Sequence, residues 1–163
     1  MFWSAAPAGQ VGFLVVDPDK AGSDLFQPIV GRGSAYADID SDGDLDVVLT
    51  QVGGAPLLLR NDQQLGHHWL RLKLIGSRAN RDAIGATVRL KANGITQTRQ
   101  VMPTRSYLSQ SELPITFGLG AADRVEQLTV TWPGGETTTV VPPPVNTVLT
   151  IRETDSGAAI ARQ

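Results

Sequence analysis

Five aspartates fall within nine residues, Asp38-Ile39-Asp40-Ser41-Asp42-Gly43-Asp44-Leu45-Asp46. Carboxylates a few ångströms apart repel one another, and such a loop raises its pKa values or opens unless a cation sits among them. A hard divalent cation with oxygen ligands is the natural counter-charge. The spacing D-x-D-x-D-G-x-x-D brings Asp38, Asp40 and Asp42 to one point if the chain curls around it, and Gly43 permits the sharp turn that a Cβ hinders. In that reading Asp44, at position seven, offers its backbone carbonyl, and Asp46, at position nine, returns to close the site. The alternative is an Asp-rich turn facing solvent, which seldom needs so many carboxylates.

The residue types also bear on which ion. The chain has no Cys and two His, which argues against zinc with soft ligands. Magnesium demands a near-ideal octahedron and keeps waters, whereas calcium tolerates many carboxylates in an irregular cage. An EF-hand would carry a bidentate Glu at position twelve and a helix on each side. Position twelve is Leu49, and the flanks Ser34-Ala35-Tyr36-Ala37 and Val47-Val48-Leu49-Thr50 favour strands. The loop reads as a calcium-binding turn between two β-strands.

Other candidates for chemistry are weaker. His67-His68 would point to opposite faces of a strand and so would not easily share one ion. Ser106, Ser109 and Ser111 lie near Tyr107, but no base stands at a recognisable spacing and no G-x-S-x-G elbow is present. Gly118-Leu119-Gly120 lacks the rest of a phosphate loop and reads as a strand-end turn. Asn80-Arg81-Asp82 either forms a buried structural pair or grips a polar ligand. Tyr107, with Arg105 and Gln110, either forms an aromatic and polar platform for a sugar or is a core tyrosine with a satisfied hydroxyl. The candidate ligand set is therefore Asn80, Arg81, Arg105, Tyr107 and Gln110. Asp17 to Asp24 could repeat the Asp loop in degenerate form, but Ala21 occupies its third ligand position and Lys20 adds positive charge, so a structural turn is preferred.

The elements that must position these residues are strands. Leu70, Leu72 and Leu74 alternate with Arg71 and Lys73, the mark of a half-buried strand. Val88 and Leu90 alternate with Thr87, Arg89 and Lys91, and Leu128, Val130 and Trp132 with Gln127, Thr129 and Thr131. Val145, Thr147, Leu149 and Ile151 close the series, and Gly12 to Val16 offers an earlier strand. Asn93-Gly94 predicts a tight hairpin, and Pro133-Gly134-Gly135 and Pro142-Pro143-Pro144 mark further turns. No amphipathic helix of ten residues stands out. Short strands at regular spacing predict an all-β fold with a β-sandwich or jelly-roll-like C-terminal domain.

A chain of 163 residues suffices for one good core or for a domain plus an appendage. The net charge is −2, yet the Asp loop holds five of the sixteen acids, leaving eleven acids against fourteen bases. No basic stripe dense enough for nucleic acid appears. No apolar run approaches the length of a membrane span. The opening Met1-Phe2-Trp3-Ser4-Ala5-Ala6-Pro7 lacks a basic region and a long apolar core, so it does not read as a signal peptide. An exported protein would carry its signal upstream.

Two family resemblances rest on particular segments. Gly31 to Asp38, the Asp loop and Val47 to Thr50 resemble an FG-GAP or VCBS repeat, the unit that builds β-propeller blades with calcium in the loop. This implies Asp38, Asp40, Asp42 and Asp46 as side-chain ligands of Ca2+ and Asp44 as a carbonyl ligand. Gly66-His67-His68-Trp69-Leu70, Asn80 to Ala86, Ser106 to Ser111, Phe117 to Gly120 and Trp132 to Gly135 resemble, in order and spacing, the ASPIC/UnbV domain, an extracellular β-rich family without a defining activity. The expected organisation is an N-terminal strand segment over 1–29, a calcium-binding repeat over 30–61 acting as a partial propeller-type blade, an ASPIC/UnbV-like β-domain over 66–153 and a frayed tail over 154–163. One blade cannot close a propeller, so further repeats are expected in the parent protein.

Three functions follow. The first is a calcium-stabilised, non-catalytic, secreted or extracytoplasmic module that binds a glycan or an extracellular protein. The second is a structural element that caps or assembles a larger propeller, whose open strand edges would favour a homo-oligomer. The third is a polysaccharide-active enzyme, which the lack of an acid pair outside the calcium loop disfavours.

Overall fold

Alternating apolar residues are paired into sheets along nearly the whole chain. The computed structural model describes residues 2–4, 12–62, 65–154 and 157–162. Strands β1 (Phe2–Ser4) and β2 (Phe13–Val15) form an antiparallel ribbon. A single helical turn, α1 (Pro18–Ala21), and a 3₁₀ turn over Ser23–Phe26 follow. Asp17 caps α1, its side chain accepting the Asp19 N–H at 3.1 Å. The Asp17 to Asp24 segment is thus a capped structural turn, because its first acid serves the backbone.

Three strands then make an antiparallel meander: β3 (Gly31–Ala37), β4 (Asp46–Gln51) and β5 (Leu57–Leu59). The Asp loop is the β3–β4 connection, between strands on both sides as its flanks predict.

The remaining strands form a sandwich: β6 (His68–Ile75), β7 (Thr87–Ala92), β8 (Ile95–Gln100), β9 (Ile115–Gly120), β10 (Gln127–Thr131), β11 (Thr137–Val140), β12 (Thr147–Thr154) and β13 (Gly157–Arg162). One sheet runs β13-β12-β6-β9 and the other β11-β10-β7-β8. Leu70, Leu72, Phe117, Leu149 and Ile151 from the first meet Val88, Leu90, Leu128 and Val130 from the second, all without solvent exposure. Removing these side chains from water is the main stabilising term of the fold. The period-two pattern places them correctly because successive strand residues face opposite sides. Asn93 and Gly94 form a two-residue turn between β7 and β8, both at positive φ, as the hairpin signal requires.

Three local expectations fail for tertiary reasons. The tail expected to fray carries β13, paired antiparallel along β12, so that β12 has neighbours on both sides. The strand expected from Val145 starts only at Thr147, as β12, after Asn146, which stands at φ 54 and anchors to Trp69. Arg71, expected on a polar face, is buried because the meander packs over that face of β6.

Glu153 shares the inward parity of Leu149 and Ile151 yet is an acid, 6% exposed. Its Oε2 accepts the N–H groups of Ser77 at 2.7 Å and Arg78 at 3.1 Å, which closes the sandwich end over the loop after β6. The Ser77 backbone hydrogen bond, aided by that from Arg78, holds this carboxyl below its ordinary value of 4.5. A depressed carboxylate stabilises the fold above its unfolded pKa and loses that contribution as pH falls through the folded value. The melting temperature should therefore drop between about pH 5 and about pH 3. Glu153→Gln should flatten part of that drop, and an unchanged slope would remove Glu153 from the acid response.

Candidate functional site

The Asp loop curls because two of its residues leave the ordinary backbone regions. Ser41 stands at φ 65 and Gly43 at φ 97. Gly43 is doubly constrained: a Cβ there would come within 2.2 Å of the Trp69 indole on β6. The Asp44 N–H donates to Asp42 Oδ1 at 2.9 Å, which tightens the curl. The result gathers Asp38, Asp40 and Asp42, each offering a ligand atom within 4.8 Å of the others. Oxygens on opposite sides of one calcium ion lie about 4.6–5.2 Å apart, so the three fit a single ion.

Asp38 supplies the sharper observation. Its side chain is only 3% exposed, and its Oδ1 is buried without a hydrogen-bond partner. Leaving a carboxylate oxygen dry and unpaired is costly. A cation among Asp38, Asp40 and Asp42 would relieve that cost, so the residues present fit a hard divalent ion.

Asp46 stands apart from this trio. It is 2% exposed, and both its oxygens accept backbone N–H groups, Asn61 at 2.9 Å and Ile39 at 3.0 Å. These two bonds, the Asn61 one foremost, hold its carboxyl below the ordinary range. Here Asp46 ties the loop start to the end of β5. Of the acids named from the spacing, three converge, Asp44 contributes its N–H to the curl, and Asp46 clamps the base.

The counter-charges are two arginines. Arg60 is exposed and engages mainly Asp62, with Asp40 3.9 Å away. Arg71 reaches from β6: its Nη1 lies 3.5 Å from Asp38 Oδ2 and donates to Glu112 Oε1 at 2.8 Å and Thr116 Oγ1 at 2.9 Å, while its Nη2 pairs with Glu112 Oε2. This bidentate pair joins the loop, β6 and the segment before β9 into one buried network. Tyr36 reinforces the joint, its O accepting the Glu112 N–H at 3.2 Å and its N–H donating to Ser111 Oγ at 3.3 Å. Nothing in the local alternation marks Arg71 or Glu112 for this role, since the partners lie some forty residues apart.

The second candidate set is not gathered into one place. Arg105, Tyr107 and Gln110 share a loop closed by the Thr104–Gln110 bridge, with Ser106 at φ 65 and Leu108 at φ 47. Tyr107 is 64% exposed and Leu108 88%, so Tyr107 is not a core residue. The loop leans on β3, where Gly33 has no room for a Cβ against Ser109 Oγ and Tyr107 O. Arg105 lines a cleft of about 310 Å³ together with Tyr36, Arg99 and Glu112. Arg81 lines a different cleft, with Lys73 and Asp82. Arg81 and Asp82 are exposed and form no ion pair with each other among the described residues, so the expected buried pair is absent. Asn80 holds its own loop, donating to Ile84 O at 2.9 Å and accepting the Ile84 N–H at 2.7 Å. His68 Nδ1 pairs with the Asn146 amide at 3.0 Å, and His67 is exposed.

Cartilage acidic protein 1 of Xenopus tropicalis is 35% identical over 128 residues, covering 74% of this chain and 19% of that protein. The chain thus spans about a fifth of the length of that curated relative. A solved structure of a candidate cell adhesion protein from Bacteroides uniformis aligns with 83% of this chain and 64% of its own, at TM-score 0.39 and 13% identity. The ASPIC and UnbV family profile matches residues 76–158, which begin where β6 ends and take in every later strand of the sandwich up to the start of β13. The chain belongs to the ASPIC and UnbV family.

Proposed function

We propose that this chain is a calcium-stabilised, non-catalytic, extracytoplasmic binding module for a carbohydrate or protein ligand. The observation that carries the reading is the buried, unpartnered Asp38 Oδ1 within the Asp38–Asp40–Asp42 cluster. Calcium there would join β3 to β4 and offset the loop charge, a structural role. A loop site with a Kd on the order of 10 μM is filled at extracellular calcium of about 1 mM, which supports a secreted or surface setting. The relative named for cartilage supports the same setting, and no helix among the described residues is long and apolar enough to cross a membrane. The strand–Asp loop–strand unit supports an FG-GAP or VCBS-type repeat over 30–61, with the ASPIC/UnbV-like domain over 66–153. Screening the chain against immobilised glycans and matrix proteins, with calcium and with EDTA, tests the reading. Binding to at least one ligand class is expected, and silence on every surface would end it.

One observation favours assembly as a second role. β5, one outer strand of the β3-β4-β5 meander, has no further strand beside it among the described residues, and Val30, Val52 and Leu58 around the meander are exposed. Unpaired edges beside apolar residues invite another blade or another copy. Sedimentation of the chain should then show self-association that rises with concentration, and a strict monomer would remove this role.

A further inference from the structure

The cleft of about 310 Å³ lies where the meander meets the sandwich, with Tyr36 and Leu45 on one side and Arg99, Gln100, Ile115 and Thr116 on the other. Two guanidiniums line it. Arg99, on the outer strand β8, sits with its Cζ 5.7 Å over the Phe117 ring and has no carboxylate partner among the described residues. Arg105 uses one donor, Nε, on the Met102 carbonyl at 3.1 Å and likewise has no carboxylate partner. The acid on the lining, Glu112, is already paired through both oxygens with Arg71. The cleft therefore presents uncommitted, planar, multi-donor cations with their acid neighbour neutralised. Guanidinium forks match carboxylate and sulfate groups in two-pronged geometry. The rest of the lining mixes Tyr36, Met102 and Leu113 with Gln100, which suits a ring having apolar CH faces and hydroxyl edges. The volume is near the lower end for small-ligand pockets, fitting one or two rings rather than a peptide segment.

We infer that this cleft binds an acidic sugar, its carboxylate or sulfate held by Arg99 and Arg105. This rests on the binding-module reading and names its ligand class and site. Calorimetric titration with glucuronate, a sulfated glucose, glucose and inorganic sulfate tests it. One or both acidic sugars should bind about tenfold or more tightly than glucose and than inorganic sulfate, the better of the two identifying the acid group. Arg99→Gln and Arg105→Gln should each weaken that binding about tenfold, and Arg99→Lys should weaken it less. Both side chains are exposed, so the variants should melt like the parent chain. Equal binding of all four probes, inorganic sulfate matching the sugars, or parent-like affinity in both Gln variants would each overturn the inference. Neutral glycans captured without any preference for acids would leave the binding module standing and remove this site alone. Acid-sugar binding with a calcium-insensitive melting curve would keep the site and remove the calcium reading.

Discussion

Chelation with EDTA should lower the melting temperature of this chain, and excess calcium should restore it. A Kd on the order of 10 μM against about 1 mM calcium contributes roughly 2.7 kcal/mol to the folded state. For a chain of 163 residues that corresponds to a shift of about 5–10 °C. The effect is large because folded domains are stable by only about 5–15 kcal/mol in total. Asp42→Ala should reproduce the EDTA state and abolish the response to calcium, because it removes one of three converging carboxylates. The Asp42 side chain also holds the Asp44 N–H, so a small calcium-independent loss is expected besides. Magnesium at equal concentration should substitute poorly. Coincident melting curves with and without calcium would sink the metal assignment.

Arg71→Met should cost about 3–5 kcal/mol, because breaking a buried ion pair from one side leaves uncompensated charge. Here two acids lose their partner: Glu112, with a side chain 12% exposed, and Asp38, at 3%. Urea denaturation would read this as a lower midpoint at nearly unchanged slope. Adding Glu112→Gln to Arg71→Met should recover part of the loss by removing one stranded charge, and a double variant weaker than the single one would contradict the network. The calcium increment should also grow in Arg71→Met, since the ion no longer shares Asp38 with a nearby cation. A loss under about 1 kcal/mol would place Arg71 among ordinary surface pairs.

Much of the architecture was legible in the residue pattern. Leu70, Leu72 and Leu74, Val88 and Leu90, and Leu128 and Val130 alternate with polar residues, and all seven enter the core. Asn93-Gly94 marks its hairpin because few other pairs accept two consecutive positive φ values. The Asp loop announces itself because five acids in nine residues strain simple electrostatics. Each of these signals is local, carried by neighbours within one turn or one strand.

The less legible features depend on long-range contact. Residues 157–162 look too weakly patterned for a strand, yet the open edge of β12 gives their backbone a partner. Glu153 reads as a surface acid until the Ser77 and Arg78 N–H groups arrive from the far side of the chain. Asp46 fits the ligand spacing as well as Asp38 does, but the end of β5 supplies the Asn61 N–H that engages it.

The sequence alone determined that this chain is nearly all β-structure and that one loop concentrates five acids in nine residues. Period and spacing are properties of consecutive residues, so they survive without knowledge of the fold. Only the tertiary structure decided which acids converge, that Arg71 and Glu112 lock the loop to the sandwich, and that Arg99 and Arg105 line the same cleft. Those groupings join residues far apart in the chain, and packing, which excludes water and leaves Asp38 Oδ1 without a partner, is what gives them their energies.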